Sequence, residues 1–257
     1  MKLTIHDVGA GGCITLLHEN GNCMMWDCGK NEGNQPSRIL RSRGVTEIQH
    51  FFVTNYDEDH ISDLPELRTA ITVKSLYRNK SISGEQLRAL KKESGPITNT
   101  MVSLLDMISS YTGGPLSPAP DFPNVSWKVF YLPYGEEYCD TNNISLVTFL
   151  QFGETKFIFP GDLENKGWEG LLNNPDFVGE LNGVNVFVAS HHGRENGYCS
   201  EVFDHCSPQV VVISDGEIKY ATQEMVNTYA AHAAGIQFNG DTRYVLTTRR
   251  DGTITWG

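Results

Sequence analysis

The sequence predicts an α/β fold of two sheets packed back to back, each covered by helices. Three observations predict it. Glycine-punctuated strand patterns occupy both ends of the chain, helical spacings lie between them, and several short apolar strands run straight into polar turns. The length of 257 residues suits one large α/β domain or two small ones, and 39% apolar residues suffice for a sizeable core.

The first 75 residues or so read as strands at 3–8, 13–18 and 23–26, a polar helix near 36–43 and an apolar strand at 48–54. Leu64, Leu67 and Ile71 have helical spacing, which places a helix over 63–72. The stretch 81–123 differs in character: helical signals at 86–92 and 98–110 precede a loop at 111–120 rich in glycine and proline. It reads as a helical cap or lid inserted into a single domain that spans 1–257. Strands resume at 125–132, 144–152 and 156–160, followed by a helix near 168–172. Further strands are expected at 184–189 and 210–214, then a helix at 223–234. Strands at 244–248 and 253–256 read as a closing hairpin around Asp251-Gly252.

Composition narrows the setting. The net charge of −11 argues against broad, non-specific binding to nucleic acid, which needs a basic surface. It leaves room for a nucleotide or nucleic-acid substrate, because a metal ion or a local basic patch can make one cleft positive. No run approaches a membrane span and the N-terminal residues enter a strand at once, so neither a signal peptide nor an anchor is expected. The six cysteines form no CxxC pair, and scattered thiols in a chain of this size suggest a cytoplasmic protein.

Asn55-Tyr56-Asp57-Glu58-Asp59-His60, directly after the apolar Phe51-Phe52-Val53, is the most informative stretch. Successive side chains of an extended segment point to opposite faces, so 55, 57 and 59 share one side, with His60 next to them. Carboxylates converging with imidazole suit a hard or borderline divalent cation. Three other apolar strands also end in polar groups or follow them. Phe157-Ile158-Phe159-Pro160-Gly161-Asp162 delivers a carboxylate and Val186-Phe187-Val188-Ala189-Ser190-His191-His192-Gly193 two histidines, while Asn142-Asn143-Ile144-Ser145 leads into a strand. Taken singly, Gly161-Asp162 reads as a turn or N-cap, Asp59 equally as an N-cap, and His-His-Gly as a hydrogen-bonded loop. Four such sites in one chain read as a metal centre.

Other candidates have structural readings. Cys199 and Cys206, near the histidine pair, suit a short helix face better than a nucleophile. His6, His18, His50 and His232 sit in strand or helix patterns. Arg194 is placed to hold a substrate phosphate or to be a solvated loop arginine, and Glu164 either orients a histidine or starts a helix.

The ordered motifs resemble the metallo-β-lactamase superfamily, and within it ComEC-type hydrolase domains of the DNA-uptake channel and their stand-alone relatives. Asp7-Val8-Gly9-Ala10-Gly11 with Trp26-Asp27-Cys28-Gly29 resembles the family's opening hairpin. TNYDEDHISDL at 54–64 resembles its THxDxDHxxGL motif. NNISLV at 142–147, Gly161-Asp162-Leu163-Glu164 and Ser190-His191-His192-Gly193 are similar to its later motifs, and Arg249-Arg250-Asp251-Gly252-Thr253-Ile254 to its end. The likeness covers nearly the whole chain except about 81–123.

The resemblance implies a four-layer αββα sandwich with a divalent metal centre, one or two ions, between its halves. Asp59, His60, Asp162 and one of His191 and His192 would hold one ion. Asn55, Asp57 and Asp162 would face the other, with Asn142 or Asn143 where most members place a histidine. Asp57 or Asp59 would orient the attacking water, and the spare histidine of the 191–192 pair would protonate the leaving group. Asn143 and Arg194 are expected to meet substrate. Asn55 stands where the family has a histidine, and Tyr220-Ala221-Thr222-Gln223 where it has Tyr-x-His-Pro. The ligand set is therefore rich in oxygen, which suits Mn²⁺ or Mg²⁺ as well as Zn²⁺.

The implied activity is metal-dependent hydrolysis, of phosphodiesters or nucleic acid first and of lactones or thioesters otherwise. A catalytically degenerate binding or regulatory subunit is a further reading, in a competence or defence setting. Expected partners are a nucleic-acid or nucleotide substrate and another protein, with no membrane.

Overall fold

The computed structural model describes residues 1–114 and 116–257; Pro115, inside the loop read at 111–120, lies outside the described residues. Two six-stranded mixed sheets form the centre. The first runs in the order Ile254–Trp256, Lys2–Ile5, Ile14–Leu17, Cys23–Trp26, His50–Phe52 and Leu76–Tyr77, antiparallel up to Cys23–Trp26 and parallel after it. The second runs Val245–Thr247, Val210–Ile213, Val186–Val188, Thr155–Phe159, Val147–Phe152 and Val125–Phe130, and its first four strands are parallel.

Period-two alternation produces the layers, because each strand has a side chain for each face. Met24, Trp26 and Phe52 of the first sheet share one apolar cluster with Phe157, Phe159, Val186 and Val188 of the second. Trp26 stacks on Phe52 at 4.8 Å and meets the edge of Phe159 at 5.0 Å, so the two sheets touch through aromatic rings. The intervening Met25, Phe51, Ile158 and Phe187 belong instead to the cluster shared with helices. Pro36–Ser42 and Leu64–Ala70 contribute Leu40, Leu64 and Leu67; Asn165–Leu172 and Pro175–Leu181 contribute Trp168, Leu171, Phe177 and Leu181. The α/β architecture expected from the sequence is the one observed.

Helices Gly84–Glu93 and Asn99–Ser110 bury Leu87, Leu104 and Met107 in the same cluster as Leu64 and Leu67. Both are capped. Gln86 donates its amide N–H to Ser83 Oγ at 3.1 Å while its side-chain oxygen accepts from the Ser83 amide at 2.9 Å, and Met101 donates its N–H to Thr98 Oγ1 at 3.1 Å.

Two readings are corrected and one helix is added. Val245–Thr247 and Ile254–Trp256 do not pair as a hairpin. The first lies beside Val210–Ile213 and the second beside Lys2–Ile5, in different sheets. A helical turn, Thr248–Asp251, capped by Thr247 Oγ1 accepting from the Arg250 amide, carries the chain across. The helix read at 223–234 is a short turn, Ala221–Gln223, followed by Val226–Ala230. Helix Pro175–Leu181, started by a proline in its first turn, was not read in the sequence. Among the described residues all six cysteines are free, five of them buried, and no helix is long and apolar enough to cross a membrane.

Candidate metal centre

Three loops meet at the C-terminal ends of strands from both sheets, where α/β folds gather functional groups. His50–Phe52 leads to Thr54, Asp59 and His60; Thr155–Phe159 leads to Asp162; Val186–Val188 leads to His191 and His192. The polypeptide is threaded tightly here. The Cys28 amide donates to the His60 carbonyl at 2.7 Å and the Gly12 amide to that of Asp59 at 3.3 Å. A Cβ on Gly29 would lie 2.1 Å from the Asp59 carbonyl oxygen, and one on Gly12 2.8 Å from His60 Nδ1. Only glycine permits the opening hairpin to come this close.

His191 and His192 have left-handed backbones, φ 49° and 55°, and Gly193 continues the turn at 71°. Two non-glycine residues in that region store strain, which the surrounding bonds must hold in place. The His191 amide donates to the Gly161 carbonyl at 3.1 Å and the Ser190 hydroxyl to the Leu163 carbonyl at 2.5 Å, locking this turn onto the Asp162 loop.

The result is a cluster of Asp59, His60, Asp162 and His192, each offering one donor atom, all within 4.8 Å of one another. His60, Asp162 and His192 are buried. His60 Nε2 lies 2.9 Å from Asp162 Oδ1, and its Nδ1 lies 2.8 Å from Asp27 Oδ2. Asp27 is itself fixed, accepting from the Thr54 amide at 2.7 Å and from the Thr54 hydroxyl. His192 Nδ1 donates to the Ser214 carbonyl at 3.0 Å. That bond places the proton on Nδ1 and leaves Nε2 with a lone pair.

The Nε2 atom of His192 is the decisive feature. It is buried and makes no hydrogen bond, yet it sits 3.2 Å from Asp59 Oδ2 and 3.4 Å from Asp162 Oδ1. A lone pair facing two carboxylates in a buried site requires a positive charge among them. In the metal-free chain protons play that part. Burial opposes charge on His192, but Asp162 and Asp59 outweigh it and raise its pKa to about 9. His60, despite complete burial, is held well above its usual value by Asp162 and Asp27. Two imidazoles and two carboxylates, each imidazole with its far nitrogen anchored, fit a divalent cation.

The other expected residues are placed around this cluster. Asn55 is fully buried, its Nδ2 donating to Asn142 Oδ1 at 3.0 Å and to Ser145 Oγ at 3.3 Å, its Oδ1 accepting from the Asp57 amide at 2.7 Å. Asp57 Oδ1 accepts from Lys91 Nζ at 2.6 Å and from the Thr141 hydroxyl at 2.9 Å. His191 lies outside the cluster, with Nδ1 3.3 Å from Glu164 Oε1 and Nε2 accepting from Arg194 at 3.3 Å. Glu164 also accepts from Asn142 at 2.9 Å and Asn196 at 2.7 Å, and it precedes helix Asn165–Leu172. Asn143 turns away to accept from the Gly167 amide at 2.7 Å.

Asp27, Ser214 and Lys91 were not singled out from the sequence. Asp27 alone carried a signal, as another carboxylate ending an apolar strand. Burial raises the thiol pKa values of Cys199 and Cys206, to about 11 and about 12, which leaves neither as a thiolate nucleophile.

Comparison with known proteins bears on the fold. The sequence matches no protein-family model. It is 24% identical over 227 residues to ComE operon protein 3 of Bacillus subtilis, a match that covers 85% of this chain and 26% of that protein, so the chain spans about a quarter of its relative's length. Among solved structures it resembles the metallo-β-lactamase fold protein YhfI of Bacillus subtilis, with a TM-score of 0.53, 10% identity and coverage of 100% and 99% of the two chains. Zn²⁺-bound PqqB of Methylobacterium extorquens gives a TM-score of 0.54 at 12% identity, covering 100% of both. CmlA, a diiron β-hydroxylase from Streptomyces venezuelae, gives 0.53 at 12% identity, over 99% of this chain and 54% of its own. The chain has the metallo-β-lactamase fold, and the likeness to ComE operon protein 3 supports the ComEC-type resemblance.

Proposed function

We propose that this chain is a metal-dependent hydrolase of phosphodiesters, acting on a nucleic acid or nucleotide. The unpaired, buried Nε2 of His192 facing Asp59 and Asp162 beside His60 carries this reading, because those four donors converge as cation ligands. A divalent ion held there would activate water at neutral pH and offset charge on the electrophile. Zn²⁺ and Mn²⁺ both suit a set of two imidazoles and two carboxylates.

The chain's own groups do the rest. Asp27 and the Ser214 carbonyl hold the two liganding imidazoles in orientation. Asp59, the least buried of the four, is the ligand placed to orient the attacking water. His191 lies outside the cluster between Glu164 and Arg194, and it would protonate a leaving group once the substrate takes the Arg194 guanidinium from its Nε2. Arg194 supplies a guanidinium for an anionic substrate group. The phosphodiester preference rests on the ComEC-type resemblance and on the oxygen-rich surroundings.

The test is a substrate panel with Zn²⁺ and Mn²⁺: bis-p-nitrophenyl phosphate, single-stranded DNA, RNA, a lactone and a thioester. Phosphodiester turnover that Asp59→Ala abolishes is the expected result. Turnover of only the lactone or thioester would move the bond cleaved. A second reading, a binding or regulatory subunit, draws on Asn55, whose amide is fully engaged with the protein itself. Less than about half an equivalent of metal in purified protein would favour it.

A further inference from the structure

The surroundings of Asn55 next to the cluster are built differently. Asn55, Asp57 and Asn142 meet there, each tied to the protein by hydrogen bonds. Asn55 Nδ2 donates to Asn142 Oδ1, Asn142 Nδ2 donates to Glu164 Oε1, and Asn55 Oδ1 accepts from the Asp57 amide. Ser145 Oγ, which receives Asn55 Nδ2 at 3.3 Å, also accepts from the Asp162 amide at 3.2 Å, so this network adjoins the metal ligands directly. Asp57, a carboxylate of this network, receives the Lys91 ammonium at 2.6 Å.

Lys91 arrives with the stretch 81–123. It sits four residues after the fully buried Leu87 on helix Gly84–Glu93, so both lie on one helix face: Leu87 anchors in the core and Lys91 reaches the site. The capping box at Ser83 and Gln86 fixes where that helix begins. A second tie comes from Thr98, whose hydroxyl donates to Glu58 Oε2 at 2.9 Å. The Lys91 side chain keeps 21% of its surface exposed, and Asp57 33%. The ammonium has three protons and Asp57 takes one at this distance. It can meet an arriving anion.

We infer that Lys91 takes the place of a second metal ion, so that the centre works with one divalent cation and one fixed ammonium, the latter binding a phosphate oxygen of the substrate. A divalent ion on that side would compete with the ammonium on Asp57 and with the hydrogen bonds that tie Asn55 and Asn142 to the protein. The ammonium coexists with all of them, and it binds phosphate as a point charge. The phosphate part rests on the hydrolase reading above; the count of ions does not.

The experiment titrates metal-stripped wild type, Lys91→Met and Lys91→Arg with Zn²⁺ and Mn²⁺ by calorimetry. Inorganic phosphate binding to each loaded protein is then measured. Expected are one tight equivalent of metal in wild type and Lys91→Met, phosphate affinity about tenfold weaker in Lys91→Met, and most of it restored in Lys91→Arg. Two equivalents in wild type, or phosphate affinity indifferent to Lys91→Met, would overturn the inference. Neither readout requires turnover. An inactive protein with one ion and Lys91-dependent phosphate binding removes only the hydrolase reading, and an active one with two ions removes only this inference.

Discussion

Asp27 shows how a residue outside the ligand set fixes a ligand's chemistry. Its Oδ2 lies 2.8 Å from His60 Nδ1, so the ring's other nitrogen is aimed at Asp162. Outer partners of this kind typically matter about 10- to 100-fold in metal affinity. Asp27→Asn keeps an oxygen for the Thr54 amide but loses the charge facing His60. Metal affinity, read by competition with a chromogenic chelator, is expected to drop by that factor with the far-UV spectrum unchanged; an unaltered affinity would deny Asp27 this role. Asp59, His60, Asp162 and the histidine pair were legible because each follows an apolar strand in a short motif. Which histidine faces inward was not, since the choice depends on left-handed backbone at 191 and 192 and on the Ser214 carbonyl. Nor was the Lys91–Asp57 pair, which joins residues 34 apart in the chain.

At the scale of elements, loops placed by strand ends decide the site. The opening hairpin lies against the Asp59–His60 turn so closely that Gly29 has no room for a methyl group, whose carbon would meet the Asp59 carbonyl oxygen at 2.1 Å. Gly29→Ala must therefore push that turn away. The expected outcome is a loss of about 1–3 kcal/mol in stability together with weaker metal binding. Denaturant melts and a metal titration check the two together; a variant as stable as wild type, with the same affinity, would show that the turn yields freely. Most strands and both helices of 84–110 were readable from periodicity. The supposed closing hairpin was not, because Asp251-Gly252 gives the same turn signal whether the flanking strands pair with each other or part. Where each strand goes depends on a free edge elsewhere. Val245–Thr247 extends the parallel row beside Val210–Ile213, while Ile254–Trp256 joins Lys2–Ile5. The two-residue strand Leu76–Tyr77 is too short for periodicity to reveal.

Across the whole molecule the sheets are held by an apolar seam, and their outer faces, covered by helices, also enclose polar residues. His6 is 1% exposed, with Nε2 2.8 Å from Thr15 Oγ1, and burial, helped by the charges of Arg43 and Lys2, depresses its pKa to about 4. Its unfolded value is near 6.5, so between these values the unfolded chain binds more protons and stability falls as pH falls from 6.5 towards 4. The full effect of one such histidine is about 3 kcal/mol. Melts at pH 7 and pH 4.5 should show a smaller loss in His6→Asn than in wild type, and equal losses would assign the acid sensitivity elsewhere. The α/β class and the apolar cores were legible at this scale, because alternation along each strand separates the seam between sheets from the faces under helices. The pairing of Ile254–Trp256 with Lys2–Ile5 has a further consequence, for the order of folding. These strands are neighbours in space yet some 250 positions apart in the chain. During synthesis, Lys2–Ile5 emerges long before Ile254–Trp256, the strand that pairs with it along this edge. Contacts this distant close late and leave an unpaired edge open to foreign strands meanwhile. Nascent chains cut just before Ile254 are therefore the ones expected to seek a chaperone.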